Sequence, residues 1–444
     1  MQISRSESHQ QDKLKRQKRL RKLIIINFTL LGVIIVVLGA WLAAANSDKL
    51  KDVLSFSKGD NNNQEQAIKP NASGETGERD ETGETGNLSE TEEDLNSPGD
   101  ASGNSNGNES TLPASEEDGM VTEPGEVIGN GDKISLSFVG DLLVADYVSA
   151  ITDQEGYPFL YQPSMLYLSE PDLTAGNLEF PVTTRGVPVE GTPYVFKGSP
   201  EVLPAMRDAG FDIMSLANNH ALDQGVEGML DTMKYLDEAG IAHMGAGNND
   251  TEAFAPVIKE VRGIKVAYVG LSRVVPFSSW KADKNVAGVA ESYDTRRALE
   301  AIAKAKKEAD IVVVMVHWGK ERVDQPEPYQ KDFGKQYIDA GADLVIGSHP
   351  HVLQGFEMYK GKWIAYSLGN FIFSSYPKET AGETGVLDAV CTKSGDCEMT
   401  FHPMFTVNAQ PTPLEGEKAK AVLDRLSSIS FGVQLGEDGA LMPE

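Results

Sequence analysis

The 444-residue chain is poor in cysteine, histidine and net positive charge, and each shortage narrows what it can be. Its two cysteines, Cys391 and Cys397, leave no second pair for a tetrahedral four-thiolate zinc site. They flank Lys393-Ser394-Gly395-Asp396, which reads as the turn of a hairpin, and outside the cytosol such a pair can bond across the two strands. With 40 Lys and Arg against 66 Asp and Glu, the formal charge is −26. That excess argues against nucleic acid, or an anionic membrane surface, as a direct partner. Only seven histidines are present, so their placement carries information.

The averages hide sharply different segments. Residues 1–22 carry eight Lys and Arg against two acids, a cytoplasmic basic segment of charge +6. Residues 23–45, "LIIINFTLLGVIIVVLGAWLAAA", contain no charged side chain. As a helix this run would be about 34 Å long, enough to cross the roughly 30 Å hydrocarbon core of a bilayer. The basic flank places the N-terminus in the cytoplasm and the rest of the chain outside. The reading is a single-pass signal anchor in the cell membrane; Ala43-Ala44-Ala45 also resembles a signal-peptide cleavage site, but the apolar run is long for one. Residues 46–130 hold 20 acids and five bases, and the stretch 74–110 has no aromatic residue. Such a composition cannot bury enough apolar surface to offset chain entropy, so a disordered acidic linker is expected. Taken from the whole, these segments leave −17 on residues 131–444, so an anionic ligand there needs a local positive centre.

From residue 131 to about 410 the pattern is that of one α/β domain. Apolar runs at 134–140, 211–217, 264–272, 311–319 and 342–350 read as strands, several buried on both faces. Between several of them, 199–210, 225–240 and 293–310 carry apolar residues at three- and four-residue spacing and read as helices. After residue 351, Lys-Gly and Ser-Gly turns separate paired strands. The expected architecture is a layered α-β-β-α sandwich, followed by a C-terminal tail, 411–444, with a surface helix at 416–430.

Polar side chains recur where these strands stop. The ends read Gly140-Asp141, then Asn177-Leu178-Glu179, then Asn218-Asn219-His220, then His317, and last His349-Pro350-His351. Loops at strand C-termini are where α/β folds build sites, and parallel strands would gather these ends at one edge. Imidazole nitrogen combined with carboxylate and amide oxygen suits divalent cations such as Mn, Fe, Zn or Mg, and a cation would supply the missing positive centre. Singly, each motif has an ordinary explanation: Gly140-Asp141 as a turn, Asp223 as a helix-start residue, His317 as a satisfied core histidine. The proline-stiffened pair His349 and His351 is harder to explain that way.

The ordered set GD, GNLE, NNH, HWG, GSHPH and SLGNF (367–371) resembles the poly-γ-glutamate capsule synthesis protein family, CapA, which is similar to the calcineurin-like metallophosphoesterases. The resemblance implies a metallophosphoesterase-like fold with one or two divalent metals. Asp141 and His351 would serve the first metal; Asn219, His317 and His349 the second. Glu179 stands at the bridging position, with Asn177 the other candidate, and His220 would polarise the substrate or protonate a leaving group. Asn177, Asn218, Glu321 and Arg322 are candidates for substrate contact. The chain departs from the phosphoesterase pattern at Asp141-Leu142-Leu143, where those enzymes have Asp-x-His, and at Asn177-Leu178-Glu179, where they have a Gly-Asp pair. The implied partners are an anionic polymer such as poly-γ-glutamate and a membrane synthase complex. The alternatives are a cell-envelope phosphoesterase and a non-enzymatic scaffold of such a complex.

Overall fold

The computed structural model describes residues 133–373 and 379–444. The basic segment 1–22, the expected span 23–45 and the linker 46–130 lie outside the described residues. Among the described residues no helix is long and apolar enough to cross a membrane.

In the first strand, β1 (Lys133–Leu142), Ile134, Leu136 and Phe138 alternate with Ser135 and Ser137. The three apolar side chains face one core, as the two-residue period of a strand requires. The strands β2 (Leu173–Leu178), β3 (Ile213–Ser215) and β4 (Ala242–Met244) follow, each parallel to the one before. Helices α1 (Tyr147–Glu155), α2 (Val202–Ala209) and α3 (Gly225–Ala239) lie between them in the chain.

A second sheet is built from β5 (Val257–Val261), β6 (Ile264–Ser272), β7 (Ile311–His317), β8 (Leu344–Ser348), β9 (Leu353–Tyr359) and β10 (Lys362–Leu368), in the spatial order β9-β10-β8-β7-β6-β5. The inner four strands are parallel; β5 and β9 are antiparallel edges. Helices α4 (Thr295–Glu308) and α5 (Pro328–Asp339) precede β7 and β8. The sequence pattern gave no signal for α5; Pro328 opens it, and Gln330 Oε1 accepts from the Glu327 N–H at 2.7 Å. The chain then returns to the first sheet. β11 (Asn370–Ile372) pairs parallel to the end of β1, and β12 (Glu383–Thr392), β13 (Cys397–Val407) and β14 (Gln410–Pro413) add antiparallel strands beside it. Cys391 and Cys397 are opposite in register and disulfide-bonded.

Every side chain of β7 is buried. Val313 and Met315 pack between the sheets with Phe138, Tyr268 and Ile346. Val312, Val314 and Val316 pack outward on Ala298 and Ile302 of α4 and Tyr337 of α5. Such a strand must be apolar on both faces, and each fully buried aliphatic side chain contributes about 1.5–3 kcal/mol. On the other side, Leu178 and Met214 meet Val202 and Met206 of α2 and Met229 of α3. The result is a mixed α/β fold in four layers, helix, sheet, sheet, helix. The C-terminal residues differ from the expected appendage. Helix α6 (Gly416–Ile429) buries Val422, Leu423 and Leu426 in the core between the sheets, so one face of it is structural.

Candidate metal centre

Because β1, β2 and β3 run parallel, and β6, β7 and β8 do likewise, their C-terminal ends share an edge. The register aligns Asp141 with Asn177 and Asn370, and aligns Ser272, His317 and Ser348. Two glycines make the close approach possible. A Cβ on Gly140 would sit 2.0 Å from the Gly369 carbonyl oxygen, and one on Gly347 would sit 2.0 Å from that of Tyr366. With hydrogen there instead, the Asp141 N–H reaches the Gly369 carbonyl at 3.0 Å.

After β8 the backbone turns through two residues with positive φ, His349 at 96° and His351 at 57°, on either side of Pro350. Left-handed backbone at a side-chain-bearing residue costs about 1–3 kcal/mol. The turn brings the His349 ring within 4.7 Å of His317 and 5.7 Å of His351, centroid to centroid.

Asp141 is wholly buried and multiply held. Its Oδ1 accepts from Asn177 Nδ2 at 2.7 Å, its Oδ2 accepts from the His349 backbone N–H at 3.1 Å, and Oδ2 lies 3.2 Å from His351 Nδ1. Asn370 Nδ2 donates to the carbonyls of His351 and Ala381, so its Oδ1 faces His351 and accepts from Nδ1–H at 2.9 Å. Once the ring loses its second proton, the His351 lone pair is on Nε2, free for a cation. On His317, Nε2 lies 2.6 Å from Asn219 Oδ1, and Nδ1 lies 3.0 Å from Ser348 Oγ and 3.3 Å from Asn177 Nδ2; the tautomer with Nδ1–H donating to Ser348 Oγ leaves the Nε2 lone pair for a cation.

Glu179 is the unusual member. It is 0 % exposed, and neither carboxylate oxygen has a hydrogen-bond partner, although Oε1 lies 3.4 Å from His317 Nε2. His349 Nδ1 is likewise buried and unpartnered. Buried polar atoms without partners are costly, and a cation is the partner that would satisfy carboxylate and imidazole together. Among the described residues, ligand atoms within 4.8 Å of one another form three groups: Asp141, Glu179 and His351; Glu179, His317 and His349; and Glu321, His349 and His351. Glu179 belongs to two of them, the geometry a bridging ligand needs. The residues present therefore fit one or two divalent cations.

The electrostatics agree. Burial, then the charge of Asp141, pushes the Glu179 carboxyl well above the usual carboxylate range, against the pull of His351 and His220. Burial opposes ionisation of Asp141, but the hydrogen bond and charge of His351, the charge of His317 and the Asn177 hydrogen bond together hold it below its ordinary value. Burial pulls His317 down to about 4. Burial and the charges of His317 and His351 pull His349 well below the imidazole range. Burial also opposes protonation of His351, but Glu179 and Asp141 raise it to about 9.

The remaining residues fall around this cluster. The His220 ring lies tilted against Phe196, 4.7 Å between centroids, and its Nδ1 meets Asp223 Oδ2 at 2.8 Å. Asp223 therefore orients an imidazole and accepts from the Phe196 N–H at 2.7 Å; the helix that follows has Gln224, not Asp223, at its cap. Asn218 is buried, with Nδ2 donating to Asn177 Oδ1 and the Leu178 carbonyl, and Oδ1 accepting from the His220 N–H. Asn177 is buried too, and its amide is taken up by Asp141, His317 and Asn218. Both asparagines brace the ligand loops, and neither is open to a substrate. Glu321 is exposed and reaches His349 and His351, whereas exposed Arg322 contacts this turn through its backbone N–H to the Pro350 carbonyl. Sequence reasoning did not single out Ser348, Asn370 or Asp223 as partners of the histidines. Ser348 and Asn370 left a trace only as members of the GSHPH and SLGNF motifs, and Asp223 only as a helix-start residue.

Fold and cluster define the class: a mixed α/β protein with a set of carboxylate, amide and imidazole side chains that could hold a cation, gathered at one edge of its two sheets. Residues 135–375 match the family model for the bacterial capsule synthesis protein PGA_cap, and the chain belongs to that family. It is 33% identical over 314 residues to the PGA biosynthesis protein CapA of Bacillus subtilis (strain 168), covering 70% of this chain and 82% of that protein. It is 34% identical over 249 residues to the capsule biosynthesis protein CapA of Bacillus anthracis, covering 54% of this chain and 60% of that protein. Among solved structures, 5'-nucleotidase from Candida albicans SC5314 aligns at 12% identity with a TM-score of 0.33, over 60% of this chain and 51% of that one.

Proposed function

We propose that this chain serves the production of an anionic capsular polymer of the poly-γ-glutamate type, and that Asp141, Glu179, Asn219, His317, His349 and His351 hold one or two divalent cations (Mn, Fe, Zn or Mg) that grip the polymer. The observation that carries this reading is Glu179, a fully buried carboxylate with both oxygens unpartnered, shared by two ligand groups. The names of the relatives supply the polymer. A bound cation would supply positive charge and Lewis acidity to an oxyanion of the substrate. The protein's part is to hold the ligands: Asn177 and the His349 N–H fix Asp141, Asn370 fixes His351, and Ser348 fixes His317. In this reading residues 23–45 anchor the chain in the cell membrane beside a synthase complex, with the acidic linker spacing the domain from the outer surface. Support for that arrangement is the uncharged run after a segment of charge +6. In a polymer-making host, deletion of the gene should abolish surface polymer. The wild-type chain should restore it, and a His349→Ala, His351→Ala chain should not. Full polymer on the deletion strain would contradict the reading.

The His220–Asp223 pair favours a second reading, a metal-dependent phosphoesterase. An imidazole braced by a buried carboxylate and set beside the ligands is placed to donate a proton to a leaving oxygen. Turnover of a chromogenic phosphodiester, dependent on added Mn and lost in His220→Ala, would select it; no turnover with Mn, Zn, Fe or Mg would reject it.

A further inference from the structure

One residue past the end of β6, Arg273 donates its backbone N–H to the His317 carbonyl at 2.8 Å, so it stands next to the cluster's own strand end. Its guanidinium lies 3.9 Å from the centre of the Tyr293 ring and 5.1 Å from that of Tyr329. Tyr329 is tied to the same edge: its hydroxyl oxygen accepts from the Gly319 N–H at 2.7 Å, two residues beyond His317. Gly319 in turn abuts Pro350, between the two histidines. Among the described residues, no acid and no hydrogen-bond acceptor meets the side chain, and its buried Nε has no partner. The acids beside Tyr293 are engaged elsewhere: Glu291 by Arg297 at 3.1 Å and Lys281 at 3.7 Å, and Asp294 by Arg296 at 2.5 Å. In a domain of strongly negative charge, an arginine left without a carboxylate is conspicuous. Aromatic rings lie against the guanidinium, and its N–H donors are left without an acceptor among the described residues; a planar guanidinium so held can bind a carboxylate or phosphate two-pronged.

We propose that Arg273, clamped between Tyr293 and Tyr329, is an oxyanion-binding residue at the rim of the cluster, recognising a second anionic group of the molecule whose first occupies the ligands. The proposal rests on the reading that an anionic molecule binds there; the experiment separates the two. The full chain, its Arg273→Gln and Arg273→Lys variants and an Arg296→Gln control are titrated with a γ-linked glutamate oligomer and with inorganic phosphate, each with Mn²⁺ and with chelator, and with Mn²⁺ alone. Arg296 is exposed and, among the described residues, paired only with Asp294, so its loss matches the charge change without touching the edge. Arg273→Gln should weaken one of the two anions about tenfold or more. Arg273→Lys should recover part of that loss, Arg296→Gln should change nothing, and Mn²⁺ affinity should be the same in all four. Which anion responds tells carboxylate from phosphate. A second measurement needs no variant: the same anion should protect Arg273 of the wild-type chain from phenylglyoxal, read by mass spectrometry. An Arg273→Gln chain within twofold of wild type for both anions, or labelling unchanged by either, overturns the proposal. A wild-type chain that binds no Mn²⁺ yet keeps Arg273-dependent anion affinity retires the metal reading and sustains this one.

Discussion

Replacing Glu179 by glutamine separates what the residue does for folding from what it does for a cation. Without a cation, the fold carries a buried carboxyl whose two oxygens have no partner, beside the negatively charged Asp141. Leaving a buried polar group unpaired costs about 1–3 kcal/mol, and more when it is charged. Glutamine keeps the shape and leaves as many unpaired polar atoms, but it cannot ionise, so above the unfolded carboxyl value the cation-free variant should be more stable than wild type by about 1.4 kcal/mol for each pH unit up to the raised folded value, a few degrees in Tm for a domain of this size. The pH dependence fixes the sign. A carboxyl raised above its unfolded value binds a proton more tightly in the folded state, so its contribution is intact below the unfolded value and is lost as pH rises through the folded one. Each pH unit in that window is worth about 1.4 kcal/mol to the wild type, and the variant lacks this slope. Excess cation should reverse the order. At a hundred times its dissociation constant, a ligand stabilises by about 2.7 kcal/mol, and only the wild type should gain that. The assay is a thermal melt of both chains, with chelator and with Mn²⁺, from pH 5 to 8. A variant less stable than wild type in chelator, or equally stabilised by Mn²⁺, would refute the reasoning.

Two other outcomes follow from the geometry. Because His351 is raised to about 9 and must lose its proton to act as a ligand, cation binding at pH 7 should release protons, and affinity should rise about tenfold per pH unit for each one released; calorimetry in buffers of different ionisation enthalpy counts them. Gly347→Ala would drive a methyl into the Tyr366 carbonyl and the Trp318 indole, which should cost about 1–3 kcal/mol or more and weaken the cation site with it, read by denaturant melts and Mn²⁺ titration.

Much of this was legible in the sequence, for reasons the structure makes plain. The Val-rich run at 311–317 reads as a strand because both its faces are covered, and the polar residues at strand ends are conspicuous because apolar runs precede them. What brings them together is parallel pairing, which the alternation of strands and helices already implied. What was not legible depends on single ordinary residues meeting across the fold. Ser348 and Asn370 have no spacing that marks them as partners of His317 and His351. Asp223 has the look of a helix start, because nothing local says that a histidine three residues back will turn toward it. Asn177 and Asn218 looked like substrate contacts because polar residues at strand ends usually face solvent; here they are buried beneath the ligand loops. Arg273 carries no motif, and its meaning appears only once Tyr293 and Tyr329 close on it. The C-terminal helix hid its role because its apolar stripe, Val422, Leu423 and Leu426, is short.

The central claim is that side chains from five strand ends meet on a cation. Metal content of the purified full chain, measured by elemental analysis after dialysis against Mn²⁺ and compared with a His349→Ala, His351→Ala chain shown to be folded, tests it most directly. The account predicts one or two bound ions per wild-type chain and a loss of at least one in the double variant. Equal content in the two folded chains, or none in either, would contradict it.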